Sequence, residues 1–396
     1  MSRRRTLGTG PDVFLNVTAL TDNPYPGLWT GAVRAAGGQI RPFGVRPLLR
    51  GRLRGRGWVD LQWPEWVFRG SGSATGKLLM LLRTCLVARL LGHRLVLTVH
   101  NLRGHGGEHP HLERAMWAAL TVLATHVHTF TEAGAREFRA AHPAARRARD
   151  VVIPHGHYGP VLGELPDRRV ARAALGLGED DEVVLTFGKL SAYKGVNALV
   201  RAFTGDPSPA ARLLVCGAPA DSATVDFLQH AAGADDRLRV TARFLQENEL
   251  TAAVVAADLV VLPYARVTNS GSALMALSIG RPVLLPDTPV FAELRERTGT
   301  AWVHLYRGGL NAVALRAALS AAREVRDEVP DLDWCSWSTV EAQLRSLFST
   351  GVLTGLPGGP TGSRLTVQPT PNRARGSGCG EVRSTRGACG GGPGQP

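Results

Sequence analysis

Short apolar runs recur along the chain, separated by stretches with helical spacing. They fall at 95–100, 124–130, 150–153, 183–187, 212–216, 237–241, 258–262 and 282–286. Runs this short and this uniformly apolar suit strands buried on both faces, as parallel strands are. Alternating with helices, they predict parallel sheets covered on both sides, an α/β fold. With 396 residues the chain is long for one core and comfortable for two such domains. The stretch around 155–180, rich in Gly, Pro and charge, is the expected junction, giving domains over 1–155 and 156–350. From 351 to 396 the composition turns to Gly, Pro, Ser, Thr and Arg, which predicts a disordered tail.

Two apolar runs lead into residues suited to holding an anion. Val260-Val261-Leu262 ends at Pro263, and Thr268-Asn269-Ser270-Gly271-Ser272 then opens a helical stretch from Ala273 to Ile279. The first turn of a helix carries free N–H groups and the positive end of its dipole, a natural seat for a phosphate. A plain N-cap accounts for the same residues. The run Val183–Phe187 is broken by Gly188, and Lys189 and Lys194 follow. Strand carboxyl ends in open α/β sheets face the ligand crevice, where two lysines can meet a diphosphate as point charges. Solvated loop lysines are the ordinary alternative. Yet only three of the 46 basic residues are lysines, and two of the three fall here.

Together these segments resemble the C-terminal half of group-1, family 4-like glycosyltransferases of the GT-B type. The resemblance continues through Leu213–Gly217, Arg243–Leu250 and Ala257–Pro263. It implies two Rossmann-like, doubly wound domains facing a central cleft, with Asp333–Phe348 starting a return to the first domain. Two departures stand out. Lys189 replaces the family's arginine, keeping the charge and losing the bidentate fork. Val267 and Met275 stand where the family carries two sugar- and ribose-binding glutamates. The Asn269-Ser270-Gly271 turn is closer to a subset resembling bacterial exopolysaccharide β-mannosyltransferases.

In the amino-terminal half, LVLTVH over 95–100 ends at His100-Asn101. The resemblance places such a histidine beside the transferring sugar; a structural histidine at a strand terminus is the plain alternative. Asn23, Glu65 and Asn101 are the acceptor-side candidates. Asn23 lies in Asp22-Asn23-Pro24-Tyr25 and Glu65 among the aromatics of Leu61–Trp66, residues that serve equally as packing. Among the other histidines, His105 and His109 have a zinc-like spacing, but Gly104, Gly106, Gly107 and Pro110 argue for a loop. His126 and His128 share one face of a strand, with packing the default. His155 and His157 sit at the expected crossover.

Net charge is +13, with +8 in residues 1–57, +4 in the tail and +1 in the body between. A near-neutral body disfavours nucleic acid as a partner. The basic cluster Arg46–Arg56 suits anionic lipid headgroups; a GC-rich genome explains the arginines as well. No apolar stretch is long enough to span a bilayer, and Arg3-Arg4-Arg5 is not followed by a signal core. Five cysteines without a Cys-x-x-Cys fit a reduced cytoplasm.

The expectation is a cytoplasmic, membrane-peripheral enzyme moving a sugar, GDP-mannose favoured as donor, to a glycan or lipid-linked acceptor. Lys189, Lys194 and Asn269–Ser272 would hold the diphosphate, Lys194 and His100 would carry the chemistry, and no metal or other cofactor is required. A GT-B epimerase or hydrolase, or a non-catalytic nucleotide-binding scaffold, are the alternatives.

Overall fold

The computed structural model describes residues 10–20, 23–51, 57–101, 109–191, 194–206, 208–264, 267–325 and 328–351. The expectations for Arg3–Arg5, Asp22, Arg52, Arg54, Arg56, His105 and the tail beyond Gly351 lie outside the described residues.

Two six-stranded sheets, parallel throughout, carry the molecule. The first contains β1 (Asp12–Leu15), β2 (Gln39–Pro42), β3 (Trp58–Gln62), β4 (Arg94–Thr98), β5 (His126–Thr129) and β6 (Arg149–Val152), in the order β2-β1-β3-β4-β5-β6. The second contains β7 (Glu182–Phe187), β8 (Ala211–Cys216), β9 (Leu238–Thr241), β10 (Leu259–Val261), β11 (Val283–Pro286) and β12 (Val303–Tyr306), in the order β12-β11-β10-β7-β8-β9. The winding reverses between β1 and β3, and again between β7 and β10. Those reversals open a crevice at the strand carboxyl ends.

The strands of the second sheet are apolar because both faces are covered. Val183, Leu185 and Val260 pack one way, with Ala273 and Leu277 of the following helix. Val184, Leu213, Val215 and Val261 pack the other way, with Leu199 and Phe203. This is the alternation of a pleated strand with a hydrophobic layer on each side. One buried ion pair crosses this region: Arg172 bonds Asp258 at 2.8 Å, both side chains 1% exposed. Arg172 also donates to the carbonyls of Ala256, Gly178, Glu179 and Asp181. That satisfaction is what a buried guanidinium requires.

Strands β1, β2, β3 and β12 lie outside the eight short apolar runs of the sequence. β2 and β12 are edge strands, and β3, Trp58-Val59-Asp60-Leu61-Gln62, carries two buried polar residues. Gly27 and Gly31 lie inside the helix Tyr25–Ala35. The helix Trp337–Thr350 packs against that helix, and its Trp337, Val340, Leu344 and Leu347 join Val13, Tyr25 and Trp29 in one apolar cluster of the first sheet.

Candidate active site

The carboxyl ends of β7 and β10 meet at the second reversal, and the loops beyond them carry the anion-binding candidates. Gly188 takes φ +108°, and a Cβ there would lie 3.9 Å from Ser272 Oγ. The turn after β7 therefore faces the first turn of the helix Gly271–Ser278. Gly195 takes φ +76° and sits so close to β10 that a Cβ would come within 2.3 Å of the Pro263 carbonyl oxygen. Only glycine allows both the conformation and the approach. Lys194 thus hangs beside the end of β10, its Nζ 5.2 Å from the centre of the Tyr264 ring. Burial lowers its pKa, and the charge of Lys189 adds to the effect. Lys189 itself is exposed.

The helix starts two residues earlier than the apolar pattern indicates. Ser270 is its N-cap, its Oγ accepting from Ala273 N–H at 3.1 Å. The capping alternative is therefore realised at Ser270, while Asn269, Gly271 and Ser272 remain half-buried at the same mouth. Val267 and Met275 pack against the apolar cluster beneath. Those two positions serve the core here.

On the first sheet the strand ends gather side chains instead. His100 is 5% exposed. Its ring stacks on Trp63 at 3.6 Å, and Trp63 stacks on Trp66 at 4.7 Å. Trp63 has φ 44°, the one positive value at a described non-glycine residue. Such a backbone is strained and persists only where its surroundings enforce it.

Hydrogen bonds fix the orientation of His100. Trp29 Nε1, a donor only, gives its proton to Asp60 Oδ2 at 2.8 Å. That oxygen is an acceptor, so the Gln62 amide turns its Nε2 toward it at 3.1 Å. Gln62 Oε1 is then left facing His100 Nε2 at 3.3 Å. His100 therefore carries its proton on Nε2 and keeps the Nδ1 lone pair. Burial, with the nearby His155 and His128, holds its pKa well below 6.5, so the ring is neutral. Thr98 Oγ1 donates to Asp60 Oδ1 at 2.7 Å and lies 3.2 Å from His128 Nδ1.

Glu65 sits half-buried on the short 3-10 turn Pro64–Phe68. Burial raises its pKa, opposed by hydrogen bonds that include one to the Asn101 side chain. These two acceptor-side candidates thus touch. Asn23 Oδ1 accepts from Tyr25 N–H at 3.0 Å, at the start of a helix. His126 and His128 are packing residues against Trp58 and Trp29. His157 Nδ1 accepts from Gly159 N–H, which makes it a local cap.

Two residues not chosen from sequence belong to this side. Tyr25 lies 4.3 Å from the His155 ring and 5.4 Å from the His100 ring. Its hydroxyl is buried with no hydrogen-bond partner among the described residues. Gln62 orients His100 as above. The only sequence signal for either was a polar group inside an aromatic-rich segment.

The two sides touch. Thr268 Oγ1 donates to the His100 carbonyl oxygen at 2.5 Å, joining the loop after β10 to the loop after β4. Tyr158 reaches from the crossover to the helix mouth, its hydroxyl 2.8 Å from where a Gly271 Cβ would sit. Glu293 accepts from the N–H groups of Glu132 and Ala133 at 3.2 and 3.0 Å, another bridge between the lobes.

Residues 167–304 match the family described as glycosyl transferases group 1. Across 306 residues, the chain is 30% identical to the GDP-mannose:glycolipid 4-beta-D-mannosyltransferase of Xanthomonas campestris pv. campestris, covering 76% of this chain and 81% of that protein. The chain is a group-1 glycosyltransferase. Its match to the D-inositol 3-phosphate glycosyltransferase of Mycobacterium bovis is local: 36% identity over 125 residues, 30% of this chain and 25% of that protein. In three dimensions the glycosyltransferase is similar to HepE from Anabaena in complex with UDP-glucose, with TM-score 0.60 and 15% identity over 86% of this chain and 99% of that one. It is also similar to WaaG, a glycosyltransferase of lipopolysaccharide biosynthesis, with TM-score 0.57 and 15% identity over 86% and 100%. At such identities the likeness concerns the fold alone, and that fold is GT-B.

Proposed function

We propose that this glycosyltransferase moves mannose from GDP-mannose to a glycolipid or lipid-linked glycan at the cytoplasmic face of a membrane, without a metal. The observation that carries the reading is the gathering of Lys194, the Gly188-Lys189 turn and the capped helix start at the β7/β10 reversal, with the loop before that helix bonded to the His100 carbonyl through Thr268. Lysine ammonium groups and first-turn N–H groups together supply what a leaving diphosphate needs, stabilisation of negative charge as it develops. The same donors make a divalent cation unnecessary. GDP-mannose and a glycolipid acceptor are named for the Xanthomonas relative, and this chain takes them from that similarity.

Two groups suit the acceptor side. A β-linked product from an α-linked nucleotide sugar requires inversion, with a base to take the acceptor proton. Glu65, half-buried with a raised pKa, fits that role, with Asn101 orienting it. His100, neutral with a lone pair on Nδ1, is the group that the family resemblance would set beside the sugar. Closure around Thr268 and His100 excludes water that would otherwise hydrolyse the donor.

The test is a thermal-shift panel of GDP, UDP, ADP and dTDP, with magnesium and with chelator, followed by product analysis with the matching sugar nucleotide. A ligand bound only by the native state raises Tm by mass action. A chelator-insensitive shift for GDP and mannose transfer to a lipid-linked acceptor are the expected results. A shift for UDP alone overturns the donor assignment. Turnover of donor without any acceptor favours an epimerase or hydrolase.

A further inference from the structure

The helix Ala74–Leu90 is apolar on both of its sides, yet only one side is covered. Leu78, Leu81, Cys85 and Ala88 are buried in the core of the first sheet. Leu79, Met80, Leu86 and Leu90 are 62%, 55%, 48% and 77% exposed. Leu79, Arg83, Leu86 and Leu90 follow one another at helical spacing and so form one stripe, with exposed Arg83 in its middle. A helix apolar all round is normally buried on all sides, and a contiguous exposed patch marks an interaction surface.

Charge indicates what covers it. The helix Val45–Gly51 packs alongside and adds exposed Arg46, Leu49 and Arg50. Neither helix contains an acidic residue. Leucines interspersed with arginines, without a single carboxylate, match a lipid surface with anionic headgroups: the side chains enter the acyl boundary and the guanidinium groups meet phosphate. A second copy of the chain fits poorly. A two-fold contact about this stripe would bring two Arg83 groups together in an apolar seam.

We propose that the exposed stripe of Ala74–Leu90, with Arg46 and Arg50 beside it, is the surface on which the enzyme rests on an anionic membrane. The placement also serves the reaction. The turn Pro64–Phe68, which carries Glu65, packs against this helix, and Lys77 Nζ ties the helix start to the carbonyls of Arg69 and Gly70 at 2.9 and 2.7 Å. A helix lying on the membrane thereby holds the acceptor-side turn close to the lipid phase. The inference deepens the lipid-linked acceptor of the proposed function and rests on that reading only for its purpose, since the surface exists without it.

The full chain is sedimented with vesicles of phosphatidylcholine alone or with about one-third phosphatidylglycerol. Three forms are compared: wild type, the triple variant Leu79→Ser, Leu86→Ser and Leu90→Ser, and Arg83→Glu. Wild type is expected to bind the anionic vesicles, the triple variant about tenfold more weakly at any salt, and Arg83→Glu about tenfold more weakly at low salt only. The altered side chains are solvent-facing, and an unchanged nucleotide-induced Tm shift in each variant shows an intact fold. Absence of wild-type binding, or equal binding by the triple variant, overturns the proposal while that shift leaves the donor site standing. So does a dimer in analytical ultracentrifugation that the triple variant abolishes.

Discussion

On the second sheet, the groups facing the cleft come from two short loops and one helix start: Gly188-Lys189, Lys194 and Asn269–Ser272. Each offers a backbone amide, a small polar side chain or a single charged tip; Lys189 is exposed and the rest are half-buried. On the first sheet, the groups are interlocked side chains from several strand ends: Tyr25, Asp60, Gln62, Trp63, His100, His128 and His155. Most of these are nine-tenths buried or more, and each depends on its neighbours for orientation. The difference shows two ways of building a site. An anion needs a local concentration of donors, which a loop supplies. A neutral sugar hydroxyl needs directed groups in a dry setting, which takes a packed network.

The comparison makes the first-sheet half the acid-labile one, and this is the largest effect expected. Burial lowers His128 and His155 from 6.5 to about 4, and holds His100 well below 6.5. Below pH 6.5 the unfolded chain binds protons that these folded rings refuse. Stability is therefore whole above pH 6.5 and lost as pH falls toward 4. The gap from 6.5 to about 4 is worth roughly 3 kcal/mol for each of His128 and His155. Buried Asp60, raised by the same desolvation, works in the opposite sense and offsets part of the loss. Chemical denaturation between pH 7.5 and pH 5 checks the slope; a flat profile would sink the buried-histidine account.

Next in size is Lys194→Ala. It should lower kcat/KM by about 100-fold, near 2.7 kcal/mol, and abolish the nucleotide-induced Tm shift while leaving the pH profile of stability unchanged. An unaltered shift would remove Lys194 from the donor site.

Gln62→Leu should do the reverse, lowering kcat about tenfold with the nucleotide shift retained, because the partners of His100 and Asp60 are lost while the second-sheet loops are untouched. Nitrogen-detected NMR of the histidine rings gives a direct readout: His100 protonated on Nε2 in wild type, a tautomer mixture in the variant. A pure Nε2–H form in Gln62→Leu would show that Gln62 does not set it.

Smallest is Ser270→Ala, expected to cost about 1 kcal/mol as a lost N-cap. Comparing its stability loss with its loss of nucleotide affinity separates capping from ligand binding at this residue. Equal Tm of variant and wild type without ligand would contradict the cap.

The sequence by itself determined the parallel α/β architecture, and it singled out the residues proposed here to hold the nucleotide. Strands covered on both faces must be uniformly apolar, so Val183–Phe187 and Leu259–Val261 announced themselves, and loops at their ends had to face a crevice. Glycines at Gly188 and Gly195, with two of the chain's three lysines close by, are local signals with a local cause. Strand β3 escaped notice because Asp60 and Gln62 interrupt its apolar pattern, and they do so because the network around His100 needs them buried. Asn23 adds a role that its sequence neighbourhood did not signal, accepting from Tyr25 N–H at a helix start. Only the tertiary structure could decide how Tyr25, the Gln62–Glu65 segment and His100 meet, since a helix start, a turn and a strand end far apart in the chain supply them. It also decided that Val267 and Met275 pack on the core, and that one side of Ala74–Leu90 is left uncovered. A periodic pattern records that a helix has apolar sides; what lies against each side is a property of the packed whole.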